Sequence, residues 1–222
     1  MSKFAFSKVA GLLWLVVTNL AGAVHASDAQ TLPRTVDFVR VAASDDARMA
    51  AQWVAANADN QRLPFVIIDK KNAQTFVFDA DRQLKGATPV LLGLAVGDDG
   101  LVDMSGREVS SLQPAERTTP AGRFAAEPGR NLQGENIIWL DYAAKLAIHR
   151  LRPDVQYQSR ALRLSSARIE DNRISLGCIV VPIYFYDKLI QPVLGNSRSV
   201  VYVLPETRPL QSMLNALQSS VQ

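Results

Sequence analysis

From residue 64 onward the chain alternates short apolar runs of strand length with polar, glycine- and proline-bearing breaks. Phe65-Val66-Ile67-Ile68 is apolar and β-branched, residues 69–72 are a turn, and Thr75-Phe76-Val77-Phe78 returns, which predicts a hairpin. Residues 89–96 are another apolar run, closed by Gly97-Asp98-Asp99-Gly100. Residues 98–118 read as a loop. Thr119-Pro120-Ala121-Gly122-Arg123-Phe124 reads as a turn feeding a short strand. Ile137-Ile138-Trp139-Leu140 and Leu146-Ala147-Ile148 predict two strands around the turn 141–145. Residues 174–181 predict a strand carrying Gly177 and Cys178, and residues 200–204 a last one.

Helical spacing is confined to the flanks. Ser44-Asp45-Asp46 supplies an N-cap and an acidic first turn, and Met49, Trp53 and Val54 follow at helical intervals, which predicts a helix ending near Ala58. Pro182 opens a short helix through Tyr184, Leu189 and Val193, and residues 209–217 form a terminal one. Residues 150–172 are arginine-rich and show no clean period. Many short strands and few helices predict a mainly β (β-rich α+β) domain, a sandwich or partly closed barrel with a few short helices.

The first 26 residues have the layout of a secretory signal. Lys3 and Lys8 precede an apolar stretch over 9–24, and Val24-His25-Ala26 offers small residues at −3 and −1. Cleavage is expected after Ala26, with Ala23 as the alternative. The run is about four residues short of the ~20 that a spanning helix needs, so no stable membrane insertion is expected after cleavage. The expected organisation is a signal over 1–26, a lead-in and helix over 27–62, the main domain over 63–206 and a C-terminal helix over 207–222. Export implies the periplasm or cell envelope.

Composition narrows the chemistry. Hydrophobic residues make up 48% of the chain, enough for a packed core. Lys and Arg number 24 against 21 Asp and Glu. The signal takes Lys3 and Lys8 with it and no acid, so the remainder is near balance and gives no reason to expect a nucleic-acid partner. One histidine and one cysteine outside the signal fall short of a zinc set, and no glycine loop suits a phosphate, so neither metal nor cofactor is expected. Trp53 and Trp139 read as core residues.

The lone cysteine cannot form an internal disulfide. A free thiol in an oxidising compartment is either buried or used. Cys178 follows Gly177, which removes bulk beside the sulfur, and the surrounding N–H groups could stabilise an oxyanion. His149 ends an apolar strand and is the one histidine outside the signal. An imidazole beside the thiol would lower its pKa and take its proton. By themselves, a cysteine filling the core and a histidine at a strand end are also ordinary structural residues.

Three segments in order carry a family likeness. Thr119-Pro120-Ala121-Gly122-Arg123-Phe124, then Ile148-His149, then Ser175-Leu176-Gly177-Cys178-Ile179-Val180 resemble the L,D-transpeptidase (YkuD-type) catalytic domain. The likeness covers about residues 64 to 206. It implies that Cys178 attacks a carbonyl of a peptidoglycan stem peptide to form a thioester, that His149 is its base, and that the backbone carbonyl of Arg150 orients the imidazole. Ser175 and Gly177 would shape the turn at the nucleophile. An amine acceptor from a second stem gives a cross-link; water makes the same site an L,D-carboxypeptidase.

Two positions depart from the family pattern. Its usual histidine before Gly-Cys is Leu176, and its Arg or Asn after the apolar residue is Val180. A non-catalytic cell-envelope binding domain is the rival reading that these support. The stretch between His149 and Cys178 is wider than is common in the family. It is either a solvated surface loop or a lid whose arginines grip carboxylates, with Arg163 and Arg173 the candidates because each is flanked by apolar residues.

Overall fold

Strands β1 (Phe65–Asp69) and β2 (Gln74–Phe78) form the expected hairpin, paired from Phe65↔Phe78 to Asp69↔Gln74. Every residue of β1 is buried because both faces of the sheet are covered there. Phe65 and Ile67 point into one apolar cluster, Val66 and Ile68 into another. The same alternation splits β10 (Ser199–Val203), whose Val200 and Tyr202 join the first cluster and Val201 and Val203 the second. β10 lies parallel to β1.

The computed structural model describes residues 36–38, 41–101 and 103–219. The signal over 1–26 lies outside the described residues, as does most of the lead-in before residue 41. Among the described residues, eight strands form one curled sheet in the order β3-β2-β1-β10-β5-β6-β7-β9. It includes β3 (Leu84–Pro89), β5 (Gly122–Arg130), β6 (Asn136–Asp141), β7 (Leu146–Arg150) and β9 (Ile179–Val181). A second small sheet pairs β4 (Leu92–Gly93) with β8 (Arg173–Ser175) in parallel. The domain is thus β-rich, a sandwich-like, partly closed barrel with a few short helices. No helix among the described residues is long and apolar enough to cross a membrane.

Helix α1 (Asp45–Asn57) begins as the sequence predicts. Ser44 Oγ accepts the Ala47 N–H at 3.0 Å, and Ala58 closes the helix in the left-handed region. Its Ala47, Ala51 and Val54 pack on the outer face of β1, β2 and β10, beside α5 (Leu210–Ser219). The inner face is covered by α3 (Ile183–Phe185), a π-helical turn over Tyr186–Ile190 and α4 (Gln191–Leu194), which bury Tyr186, Ile190 and Leu194.

Three segments differ from the plain pattern of the sequence. The strand partnering β2 is Leu84–Pro89, and the apolar run over 89–96 contributes only the two residues of β4. The strand expected over 174–181 is interrupted at 176–178, where Gly177 has φ +128°. The arginine-rich stretch contains α2 (Tyr157–Leu164). Its apolar anchor is one buried residue, Leu164, which packs with Leu91, Leu151 and Val180. One anchor over two turns leaves too weak a period to read.

Candidate active site

β7 and β9 are neighbours and run parallel, with Ile148↔Ile179, His149↔Val180 and Arg150↔Val181 in register. Paired residues in a parallel ladder share a face. Ile148, Ile179 and Val181 enter the inner core, so His149 and Val180 take the opposite face. Cys178 precedes β9 by one residue. Its Sγ reaches the start of β7, where it donates to the Lys145 carbonyl at 3.4 Å and lies near enough to the Ala147 N–H for that group to lower the thiol pKa. His149 follows Ala147 by two residues along the same strand, roughly 6.6 Å of backbone rise. The thiol thus lies beside the strand that carries the imidazole; no hydrogen bond joins the two, and His149 does not line the cleft at the sulfur.

His149 is held by its own chain. Nδ1 lies 2.8 Å from the Arg150 carbonyl. A carbonyl oxygen can only accept, so Nδ1 carries the proton and Nε2 keeps its lone pair. Burial lowers the imidazole pKa below its usual 6.5; the Arg150 carbonyl opposes this, Arg152 and Arg160 reinforce it and Glu135 opposes it. Burial raises the Cys178 thiol above its ordinary value, with the Ala147 N–H and the Arg152 charge pulling the other way. Both shifts favour the neutral forms, thiol and imidazole.

The turn before the thiol is built by Ser175 and Gly177. Ser175 Oγ accepts the Gly177 N–H at 3.1 Å and donates to the Cys178 carbonyl at 2.6 Å. The positive φ of Gly177 favours glycine, and a Cβ there would lie 3.1 Å from the Thr118 carbonyl oxygen. The Gly177 N–H is thus occupied, which leaves the Cys178 N–H as the donor beside the sulfur.

The thiol opens on a cleft of about 30 Å³, room for one or two waters. Leu101, Met104, Leu112, Pro120 and Leu176 line it with Cys178. The roof comes from the loop over 98–118, not from the arginine-rich stretch. It is fastened by the Met104 N–H on the Ala143 carbonyl at 2.9 Å, by the bidentate Arg107–Glu116 pair and by Lys145 Nζ on the Arg107 carbonyl.

Arg163 and Arg173 do not line this cleft. Both border a separate open groove of about 610 Å³, with Leu94, Ile169 and Glu206. Arg173 is 9% exposed and its guanidinium is committed to both Glu206 oxygens and the Lys70 carbonyl, so it is a structural cation, not a carboxylate clamp. Arg163 Nη1 donates to the Asp171 carbonyl at 3.2 Å. The charges that reach the imidazole were not singled out in the sequence. Beside Arg160, they are Arg152 and Glu135, whose Nε and Oε2 are 3.0 Å apart. Burial opposes the ionisation of Glu135, but Asn131 and Arg152 outweigh it and hold the carboxyl below the usual range. They sit on two loops flanking β6 and β7, and no spacing rule links such positions.

The two departures have different surroundings. Leu176 is 38% exposed at the cleft mouth. Val180 is buried under Leu151 and Leu164, so α2 occupies the space a polar side chain would need there. Trp53 and Trp139 are only partly buried. Trp53 packs against the outer cluster, whereas Trp139 sits over Gly129 and meets the exposed Tyr142 edge-on at 5.0 Å.

No protein-family model and no curated protein matches the chain. Among solved structures, the helical cell shape determining protein Pgp2 from Campylobacter jejuni aligns with a TM-score of 0.43 and 14% sequence identity, over 70% of this chain. The chain spans about half of that structure, 55% of its length.

Proposed function

We propose that this protein is an exported cysteine acyltransferase of the L,D-transpeptidase type that acts on peptidoglycan stem peptides. The observation that carries the reading is the placement of its lone cysteine beside the strand of His149, with the imidazole tautomer fixed by the Arg150 carbonyl. In the proposed reaction His149 Nε2 takes the Sγ proton as sulfur attacks a stem-peptide carbonyl. The Cys178 N–H meets the developing oxyanion. The C–N bond then breaks, the imidazolium gives its proton to the departing terminal residue, and a thioester remains. The amine of a second stem attacks that thioester and restores the thiol.

Because both groups rest in their neutral forms, proton transfer accompanies attack and no standing thiolate–imidazolium pair is needed. The sulfur must first leave the Lys145 carbonyl, and the roof at Met104 and Leu112 must shift, since the present cleft is too small for a stem peptide. Those same features favour a second reading, a non-catalytic envelope-binding domain in which Cys178 is a packed thiol.

Incubation with a carbapenem followed by intact mass separates the two. The enzyme reading expects an adduct on Cys178 that is absent in Cys178→Ala and forms about 10²- to 10⁴-fold more slowly in His149→Ala. No adduct, together with a thiol that resists iodoacetamide in the folded protein, supports the binding domain.

A further inference from the structure

We propose that Thr119 is a positioning residue for the nucleophile, acting through the Gly177–Cys178 peptide; this rests on the acyltransferase reading above. Thr119 is fully buried. Its hydroxyl accepts the Gly93 N–H at 2.8 Å and donates to the Gly177 carbonyl at 2.7 Å. With one hydrogen to give, the hydroxyl is fixed in direction by the donor on its other side. It therefore sets the orientation of the Gly177 carbonyl.

That carbonyl belongs to the peptide unit whose N–H is the Cys178 amide. In a trans peptide the C=O and N–H point in opposite directions, and no cis bond occurs among the described residues. Fixing the carbonyl on Thr119 therefore aims the Cys178 N–H away from it. Gly177 needs this restraint because it sits at positive φ in a break between β8 and β9, with the backbone freedom of glycine.

Thr119 is itself anchored from behind. Its carbonyl accepts Lys70 Nζ at 2.9 Å, and Lys70 is buried in a balanced quartet with Asp98, Glu206 and Arg173. On the other side, Gly93 lets β4 approach: a Cβ there would lie 2.3 Å from the Arg117 carbonyl oxygen and 2.7 Å from the Thr119 nitrogen. The chain of contacts runs from a rigid ionic cluster through one hydroxyl to the peptide at the thiol. It gives the Thr-Pro-x-Gly-x-Phe segment a task at the site, beside the lining that Pro120 supplies to the cleft.

The test compares two reactions of the same thiol. Acylation by a carbapenem develops an oxyanion; alkylation by iodoacetamide does not. In Thr119→Val the acylation rate is expected to fall about 10- to 100-fold. Alkylation is expected to stay within about threefold of wild type, because the sulfur and its surroundings are unchanged. Thr119→Ser, which keeps the hydroxyl, restores acylation. Thr119→Ala serves if valine prevents folding. Equal loss of both reactions, or loss of neither, overturns the proposal. If wild type is alkylated but never acylated, the acyltransferase reading fails, and amide exchange over 177–179 decides the positioning claim. Exchange about tenfold faster in Thr119→Val, and not in Thr119→Ser, supports it; unchanged exchange overturns it.

Discussion

Cys178 Sγ donates to the carbonyl of Lys145, the residue that leads into the strand of His149. The thiol is thus parked on backbone, and burial raises its pKa above the ordinary 9.0. Iodoacetamide alkylation followed from neutral to alkaline pH should keep rising beyond the ordinary thiol range. A plateau already reached near neutrality would mean a standing thiolate and contradict the resting state described above.

The base has the opposite displacement. Burial holds the His149 imidazole below 6.5, so it stays neutral until the pH falls below that value. The acid limb of the acylation rate is expected below 6.5, and a limb above it would indicate a different ionising group. The same shift has a stability sign. The unfolded chain binds the proton first, so the contribution of His149 is present above its unfolded value and is lost as pH falls through the folded one. His149→Ala should remove that part of the acid dependence of chemical denaturation.

The buried quartet behind Thr119 is more costly to break. Replacing Lys70 by Met leaves Asp98 and Glu206 buried with one cation fewer, a loss of about 3–5 kcal/mol measurable by denaturant unfolding. Burial opposes ionisation of Asp98, but bonds from Thr207, from the Glu206 N–H and from Lys70 hold its carboxyl well below the usual 3.8. Stability from this group is present above that value and declines on acidification below it. Asp98→Asn should flatten the acid limb of stability.

Much of this arrangement is legible in the sequence, and the failures have physical causes. The hairpin at Phe65 to Phe78, the capped helix at Ser44 and the last strand follow from local pattern, because burial and propensity agree there. β3 carries no strand pattern in the sequence, because Lys85 is polar and Gly86 and Ala87 are small, and its pairing is set by the neighbouring hairpin. At the site, Cys178 and His149 could be named from residue type and order, and the Arg150 carbonyl from the family resemblance. Glu135 and Arg152 could not, since their proximity to the imidazole is created by tertiary folding. Arg173 misled because apolar flanks signal order equally for a ligand clamp and for a buried ion pair.

Gly177→Ala tests the turn directly. The positive φ and the 3.1 Å approach to the Thr118 carbonyl oxygen predict a loss of about 1–3 kcal/mol, read as a lower unfolding midpoint. Gly106→Ala is the control. It shares a positive φ, yet a Cβ there meets nothing within 4 Å, so its midpoint should fall less than that of Gly177→Ala.

The decisive measurement is mass spectrometry of the protein incubated with a purified tetrapeptide stem and no acceptor. An adduct on Cys178 equal to the stem without its terminal residue is expected, released by an added amine and absent in Cys178→Ala. A thiol that alkylates normally yet never carries that adduct would contradict the acyltransferase reading.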